Sequence, residues 1–366
     1  MRIERLDVYS FPVPFKAVFR HASASRSRAE NLIVAARSDD GLTGYGEGCP
    51  RDYVTGETAE GGAAFIRRHA QAIADAVTDG ASLRAWADAH REEIDEHPAA
   101  FCAIELAVLD LLGKAAEAPV EDIVGVPRLD GSFTYSAVLG DSPYLVYRLQ
   151  HFRYRRKGFT DFKVKVSGDL GRDRRKLRVF GNKQLRVRLD ANNLWADADE
   201  CIEHLNALGG GVFAVEEPLT AGDLAGFERV SEECGVRIIL DESLLRASQL
   251  DGFGSPERWI VNVRVSKMGG IGRSLEVVER AASLGMGVIV GAQVGETSIL
   301  TRAGLTGMQA ARPVLAASEG AFGTHLLRED LTMESLMFGD GGVLTIPDAN
   351  APGLGLVVRE GMLVPV

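Results

Sequence analysis

Five charged residues punctuate the middle of the chain at a nearly constant interval. Lys165 to Asp190 is 25 residues, Asp190 to Glu216 is 26, Glu216 to Asp241 is 25 and Asp241 to Lys267 is 26. Each closes a short branched run, and an amphipathic stretch follows it. A strand of about 5 residues, a helix of about 12 and two short loops fill such an interval. Branched runs at 134–139, 162–166, 186–190, 212–216, 237–241, 259–267, 287–291 and 313–317 extend the series to eight. Eight β-then-α units in succession predict a parallel (β/α) barrel. An open doubly wound sheet competes, but it does not require so many uniform units, and its Gly-rich dinucleotide turn is missing.

The first 125 residues have a different texture and predict a small α+β capping domain. Arg2 to Tyr9 alternates apolar and polar residues, Asn31 to Ala36 reads as a second strand, and Asp39-Asp40-Gly41 is a turn before a third. Helical segments follow. In the last, Ile104, Ala107, Val108, Leu111 and Leu112 form a core-facing stripe. Residues 126–330 form the predicted barrel, and residues 331–366 a terminal segment expected to return to the cap.

With 41 basic and 51 acidic residues the net charge is −10, which argues against a nucleic-acid partner. No apolar run reaches the roughly 18 residues of a membrane helix. Cys49, Cys102, Cys201 and Cys234 lie too far apart for a zinc or disulfide framework, so reduced thiols and a cytoplasmic setting are expected.

Barrel sites form at the C-terminal ends of the strands. Here three adjacent strands end in Asp190, Glu216 and Asp241. One such carboxylate is an ordinary turn residue or cap. Three on strands about 4.8 Å apart converge, and their repulsion calls for a cation. An all-oxygen set suits Mg²⁺, with Mn²⁺ as the alternative. On strand two, Lys163 and Lys165 share one face, while Phe162, Val164 and Val166 occupy the other. Both lysines are therefore expected inside the barrel, and Lys267 across from them. Burial, a second lysine and a divalent cation all lower a lysine's pKa from about 10.4, making a usable base. A cation on a substrate carboxylate, flanked by amines, suits abstraction of the adjacent proton to form an enediolate.

These motifs resemble those of the enolase superfamily, in its muconate lactonizing enzyme (muconate cycloisomerase) subgroup. The resemblance rests on Gly44-Tyr45-Gly46-Glu47, Lys163-x-Lys165, Asp190-x-Asn192, Glu216-Glu217-Pro218, Asp241-Glu242-Ser243 and Lys267-x-Gly269-Gly270. It implies a TIM-like (β/α)7β barrel with a capping domain. It also implies Mg²⁺ on Asp190, Glu216 and Asp241, with Lys165 and Lys267 as the acid/base pair and Lys163 tuning Lys165. Asn192, Glu242 and Glu296 would support the site or touch substrate. The implied reaction on a small carboxylate substrate is racemisation or epimerisation of an amino-acid derivative or dipeptide. Cycloisomerisation and elimination of water are the alternatives on the same site, and a non-catalytic binding protein is the remote one. A homo-oligomer, dimer or octamer, is also implied.

The cap stretch from Cys49 to Thr58 is similar to that of dipeptide epimerases. The eighth strand, Ser318-Glu319-Gly320-Ala321-Phe322-Gly323, lacks the Asp-x-Asp pair those enzymes carry and resembles the cycloisomerase version. A polar cap loop holding Arg20, His21, Ser23, Ser25, Arg26, Ser27 and Arg28 is expected to close over the mouth. His325 and the glycines at 269, 270 and 272 are read as structural.

Overall fold

The computed structural model describes residues 1–20, 25–181, 185–346 and 348–366. The cap begins with an antiparallel sheet of Ile3–Phe11, Asn31–Ser38 and Thr43–Gly48, edged by Val364–Pro365. The buried helix Pro98–Ala115 lies directly on Thr43–Gly48, and alternate glycines make that approach feasible. A Cβ on Gly44, Gly46 or Gly48 would fall within 2.2, 2.1 or 1.9 Å of the helix carbonyls of Ala107, Ala103 or Ala99. Helices Ala59–Ala76 and Gly80–Ala89 complete the cap.

Eight parallel strands follow in sequential order: Ala137–Leu139, Asp161–Lys165, Arg186–Asp190, Ala214–Glu216, Arg237–Leu240, Trp259–Arg264, Gly287–Gly291 and Leu315–Ser318. A Ser136 N–H donating to the Ser318 carbonyl at 2.8 Å ties the first strand to the eighth. Ala214, Ile239, Ile260 and Ile289 pack together as a small inner layer, while Phe162, Val164, Leu189, Val215, Leu240 and Val261 belong to the larger core outside the sheet. Two departures from a uniform repeat stand out. Between the fifth and sixth strands the chain makes 3-10 turns at Ala247–Leu250 and Pro256–Arg258, and the eighth strand is followed by a 3-10 turn at Gly323–His325, in place of α-helices.

The sixth strand is shorter than the sequence led us to expect. It stops at Arg264, and Val265–Met268 is a helical turn closed by Gly269 at φ 89°. Period two from Ile260 therefore places Asn262 and Arg264 on the inner face, and Lys267 is not a strand residue.

Cap and barrel are joined by buried carboxylates. Glu105, on the cap helix Pro98–Ala115, accepts the backbone N–H groups of Ile271 and Gly272 at the start of helix Ile271–Leu284. Glu47 accepts those of Thr297 (2.9 Å) and Leu300 (3.1 Å) at the start of helix Ser298–Ala311. Glu121 forms a two-pronged pair with Arg302 at 2.8 and 2.9 Å. The strands Pro14–Arg20 and Ser25–Arg28 pair with each other, and Lys16 N–H donates to the Leu326 carbonyl beyond the eighth barrel strand. Of the expected lid, His21 and Ser23 lie outside the described residues.

Candidate active site

Lys163, Asp190, Glu216 and Asp241 are each 4 % exposed or less at the C-terminal ends of barrel strands two to five. The parallel register sets Lys165 beside Asp190, and Asp190 beside Glu216. Asp241 directly follows strand five.

Lys163 is held by carboxylates. Its Nζ lies 2.7 Å from Glu216 Oε2, 2.9 Å from Glu319 Oε2 and 3.4 Å from Asp190 Oδ2. Burial opposes its charge, but Asp190, Glu216 and Glu319 outweigh that and raise its pKa. Lys163 is therefore a fixed cation rather than a base.

Lys165 differs. Its Nζ donates to Asn192 Oδ1 at 2.5 Å, and the nearest carboxylate, Asp190, is 3.9 Å away. Burial and then Lys163 lower its pKa, although Asp190 opposes them. Its side chain is 16 % exposed, against 5 % for Lys163.

Glu216 sits between charges of both signs. Burial raises its pKa, Lys163 opposes this, and Asp190 and Glu319 push it further up. Among the described residues no three His, Cys, Asp or Glu side chains form a preformed metal cluster. Protein cations stand between the three carboxylates instead. Arg264 Nη2 contacts Asp241 Oδ2 and lies 3.8 Å from Glu216 Oε1. The donors themselves, three buried carboxylates on adjacent strand tips, have the hard-oxygen chemistry of a Mg²⁺ site.

Lys267 lies beside this cluster with its hydrogens spent. Nζ donates to Asp241 O at 2.7 Å, Asp241 Oδ1 at 2.9 Å and Asn262 O at 2.9 Å, at 1 % exposure. Burial, then Arg264, pushes its pKa down to about 7. A low pKa does not by itself make a base, because the lone pair must face the substrate. All three hydrogen positions of this amine face protein acceptors.

The supporting residues divide in two. Asn192, at φ 49°, accepts a hydrogen bond from Lys165 Nζ. Glu242 is half-buried with no hydrogen-bond partner at Oε2, and its carboxyl is raised to about 7 by burial and then by Glu217 and Glu216. Glu296 faces its own loop, accepting the Gln293 N–H at 2.5 Å, with burial raising it to about 8. It contacts neither Lys267 nor Lys165.

Several residues of the site escaped sequence reasoning. Arg188 and Arg264 lie two residues along the inner face from Asp190 and Asn262, so period-two counting from a correct strand end would have found them. Glu319, just past strand eight, pairs with Lys163 at 2.9 Å and with Arg188 at 2.7 Å, and these two cations hold its carboxyl at about 2 against the effect of burial. His325 has the structural role expected of it, stacked on Phe338 with Nε2 2.9 Å from the Phe338 carbonyl. From the cap, Cys49 N–H donates to Ser266 Oγ (2.8 Å) and buried Arg51 to the Val294 carbonyl (2.6 Å), fixing that loop to the barrel rim.

A family model described as enolase C-terminal domain-like matches residues 147–362. Another, for the N-terminal domain of mandelate racemase / muconate lactonizing enzyme, matches residues 5–125. The hydrophobic dipeptide epimerase of Enterococcus faecalis is 27% identical over 82% of this chain and 84% of its own. The N-succinyl-L-Arg/Lys racemase of Bacillus cereus is 25% identical over 83% of each. The solved structure of the E. faecalis dipeptide epimerase complexed with Mg and L-Leu-L-Tyr matches with a TM-score of 0.84 at 25% identity, covering 98% of this chain and 100% of that one. A muconate lactonizing enzyme structure also reaches 0.84 at 25% identity, covering 99% and 98%.

Proposed function

Because the chain belongs to the mandelate racemase / muconate lactonizing enzyme family of the enolase superfamily, we propose that it is a Mg²⁺-dependent isomerase. It removes the proton next to the carboxylate of an amino-acid derivative or dipeptide. The observation that carries this reading is the contrast between two neighbouring lysines. Lys163 is locked among Glu216, Glu319 and Asp190, while Lys165 keeps a single amide partner and a lowered pKa.

Asp190, Glu216 and Asp241 would hold Mg²⁺, which when bound supplies positive charge to the substrate carboxylate. Lys163 adds a fixed positive charge beside them. Lys165 accepts the α-proton, and Asn192 aims its Nζ. The C–H electron pair passes into the enediolate, and the proton's return completes the cycle.

Racemisation or epimerisation is the first outcome proposed, supported by the named activities of the curated relatives. Cycloisomerisation is the second, supported by the match to a muconate lactonizing enzyme structure. A homo-oligomer in the cytoplasm completes the proposal, the latter supported by four cysteines without a disulfide. The experiment is incubation with Mg²⁺ in D₂O, reading deuterium at the α-carbon by mass. Lys165→Ala should reduce the incorporation rate by roughly 10²- to 10⁴-fold while Mg²⁺ binding persists. Undiminished exchange in that variant refutes the role of Lys165.

A further inference from the structure

Helix Tyr144–Arg156, the first on the barrel wall, carries four arginines and no acidic residue. Tyr144, Leu145, Arg148, Leu149, Phe152 and Arg156 are spaced as one stripe along it and face outward. Leu145 is 76 % exposed and Phe152 55 %. Arg148 lies over the Tyr144 ring and Arg156 over the Phe152 ring, each 5.9 Å from the centroid. A groove of about 610 Å³ runs from this stripe to Arg178 and Val179, at the end of the second wall helix, Leu170–Arg178, which bears four further arginines. Among the described residues, Arg148, Arg153, Arg156 and Arg178 pair with no carboxylate.

The next two wall helices reverse the sign. Ala198–Leu208 carries Asp199, Glu200 and Glu203 with no lysine or arginine, and Leu224–Cys234 carries Glu228, Glu232 and Glu233 against Arg229 alone. Arg229 is taken by Asp199 at 2.7 Å and Glu233 at 3.2 Å, and Arg258 takes Glu232 at 2.8 Å. Glu200, Glu203 and Glu228 stay unpaired among the described residues. Leu194, ahead of the third helix, and Leu224, at the start of the fourth, are exposed beside them. The four helices pack side by side in chain order, so a basic, apolar part of the wall adjoins an acidic one.

We propose that the first two wall helices of one copy dock on the third and fourth of the next copy, head to tail. This rests on the homo-oligomer proposed above and names its surface. Arginine stacked on tyrosine and phenylalanine, with leucine between and no lysine in the stripe, is the composition of an interface core rather than of a solvated face. In a chain of net charge −10 the matching carboxylates come from the chain itself. A two-fold contact through the stripe would set basic against basic, whereas a head-to-tail contact joins opposite signs. Eight units share one full turn of the barrel, so the two faces are centred a quarter turn apart, and successive copies close a ring of about four.

Sedimentation of the full chain at micromolar concentration provides the test. A closed species larger than a dimer is expected, loosening as salt is raised. Arg148→Glu with Arg156→Glu reverses charge on the first face, and Glu203→Arg with Glu228→Arg on the second. Each pair alone should weaken assembly roughly a hundredfold. Mixed in equal amounts, the two variants should reassemble, because each then meets an opposite face on both sides. Phe152→Ser keeps every charge and should weaken assembly roughly tenfold, and it stands in for a charge-reversed chain that does not fold. An oligomer unmoved by these substitutions, variants that stay apart when mixed, or a plain dimer overturns the surface and leaves the homo-oligomer reading intact. A monomeric unmodified chain counts against the homo-oligomer reading itself, and the surface falls with it. Should that monomer co-sediment with phosphatidylglycerol vesicles and not with phosphatidylcholine ones, the basic face serves a lipid surface instead.

Discussion

Glu217 turns through φ 40° at the tip of the fourth strand, a conformation that non-glycine residues adopt only when their surroundings hold them. Its carboxylate accepts the N–H of Asp241 at 2.6 Å, the N–H of Ser243 at 2.9 Å and the Ser243 hydroxyl at 2.7 Å. It thereby fixes the backbone of one proposed metal ligand from the neighbouring strand. Glu217→Ala orphans the buried Asp241 N–H, at about 1–3 kcal/mol, together with two half-buried Ser243 donors. The expected outcome is a lower urea midpoint together with weaker Mg²⁺ binding in calorimetry. A stability loss with unchanged Mg²⁺ affinity would separate Glu217 from the positioning of Asp241. At the same scale, Asn192→Leu removes the one hydrogen-bond acceptor found for Lys165 Nζ, and we expect roughly a tenfold fall in kcat with little change in KM.

Among elements, the helix N-termini show how local rules and tertiary contacts divide the labour. Helix Ile271–Leu284 follows Gly270, which has no side chain to cap it, and Glu105 supplies the missing acceptor from the cap. The glycine also makes room, since a Cβ there would stand 2.1 Å from Glu105 Oε2. Glu105→Ala should therefore lower stability by about 1–3 kcal/mol, read as a shifted denaturation midpoint, while Glu105→Gln recovers part of the loss. Strands two to four were legible in the sequence because each ends in its charged residue, so Lys163, Lys165, Asp190 and Glu216 could be placed by counting. Strand six was not. Val265 continues the branched run past the true end, and the turn into Val265–Met268 depends on Gly269 adopting φ 89° and on the Cys49–Ser266 contact from the distant cap. A run-on of three residues put Lys267 on the strand, whereas it sits on the helical turn and still reaches Asp241, and it left Arg264 unnoticed. The partners of Glu319 were hidden for a related reason, as Lys163 and Arg188 lie 156 and 131 residues away.

For the molecule as a whole, burial of carboxylates sets the response to pH. Glu47, Glu57 and Glu105 are raised to about 7 and Glu296 to about 8, in each case by burial. A carboxyl whose folded pKa exceeds its unfolded value of about 4.3 contributes fully below that value, and the contribution is lost as pH rises through the folded one. Stability should accordingly decline between about pH 5 and about pH 8. Glu319, held at about 2, is ionised throughout that window and does not offset the trend. Urea midpoints at about pH 5.5 and about pH 8 check this, and a midpoint that rises with pH contradicts it.

The glutamates that cross from cap to barrel also bear on how such a molecule can be refitted for a new acid. Whoever exchanges the roof, by recombination or by design, removes at the same stroke the acceptors on which two wall helices depend. A transplanted roof must therefore bring its own Glu47 and Glu105, or the walls beneath it loosen before any new substrate is tried.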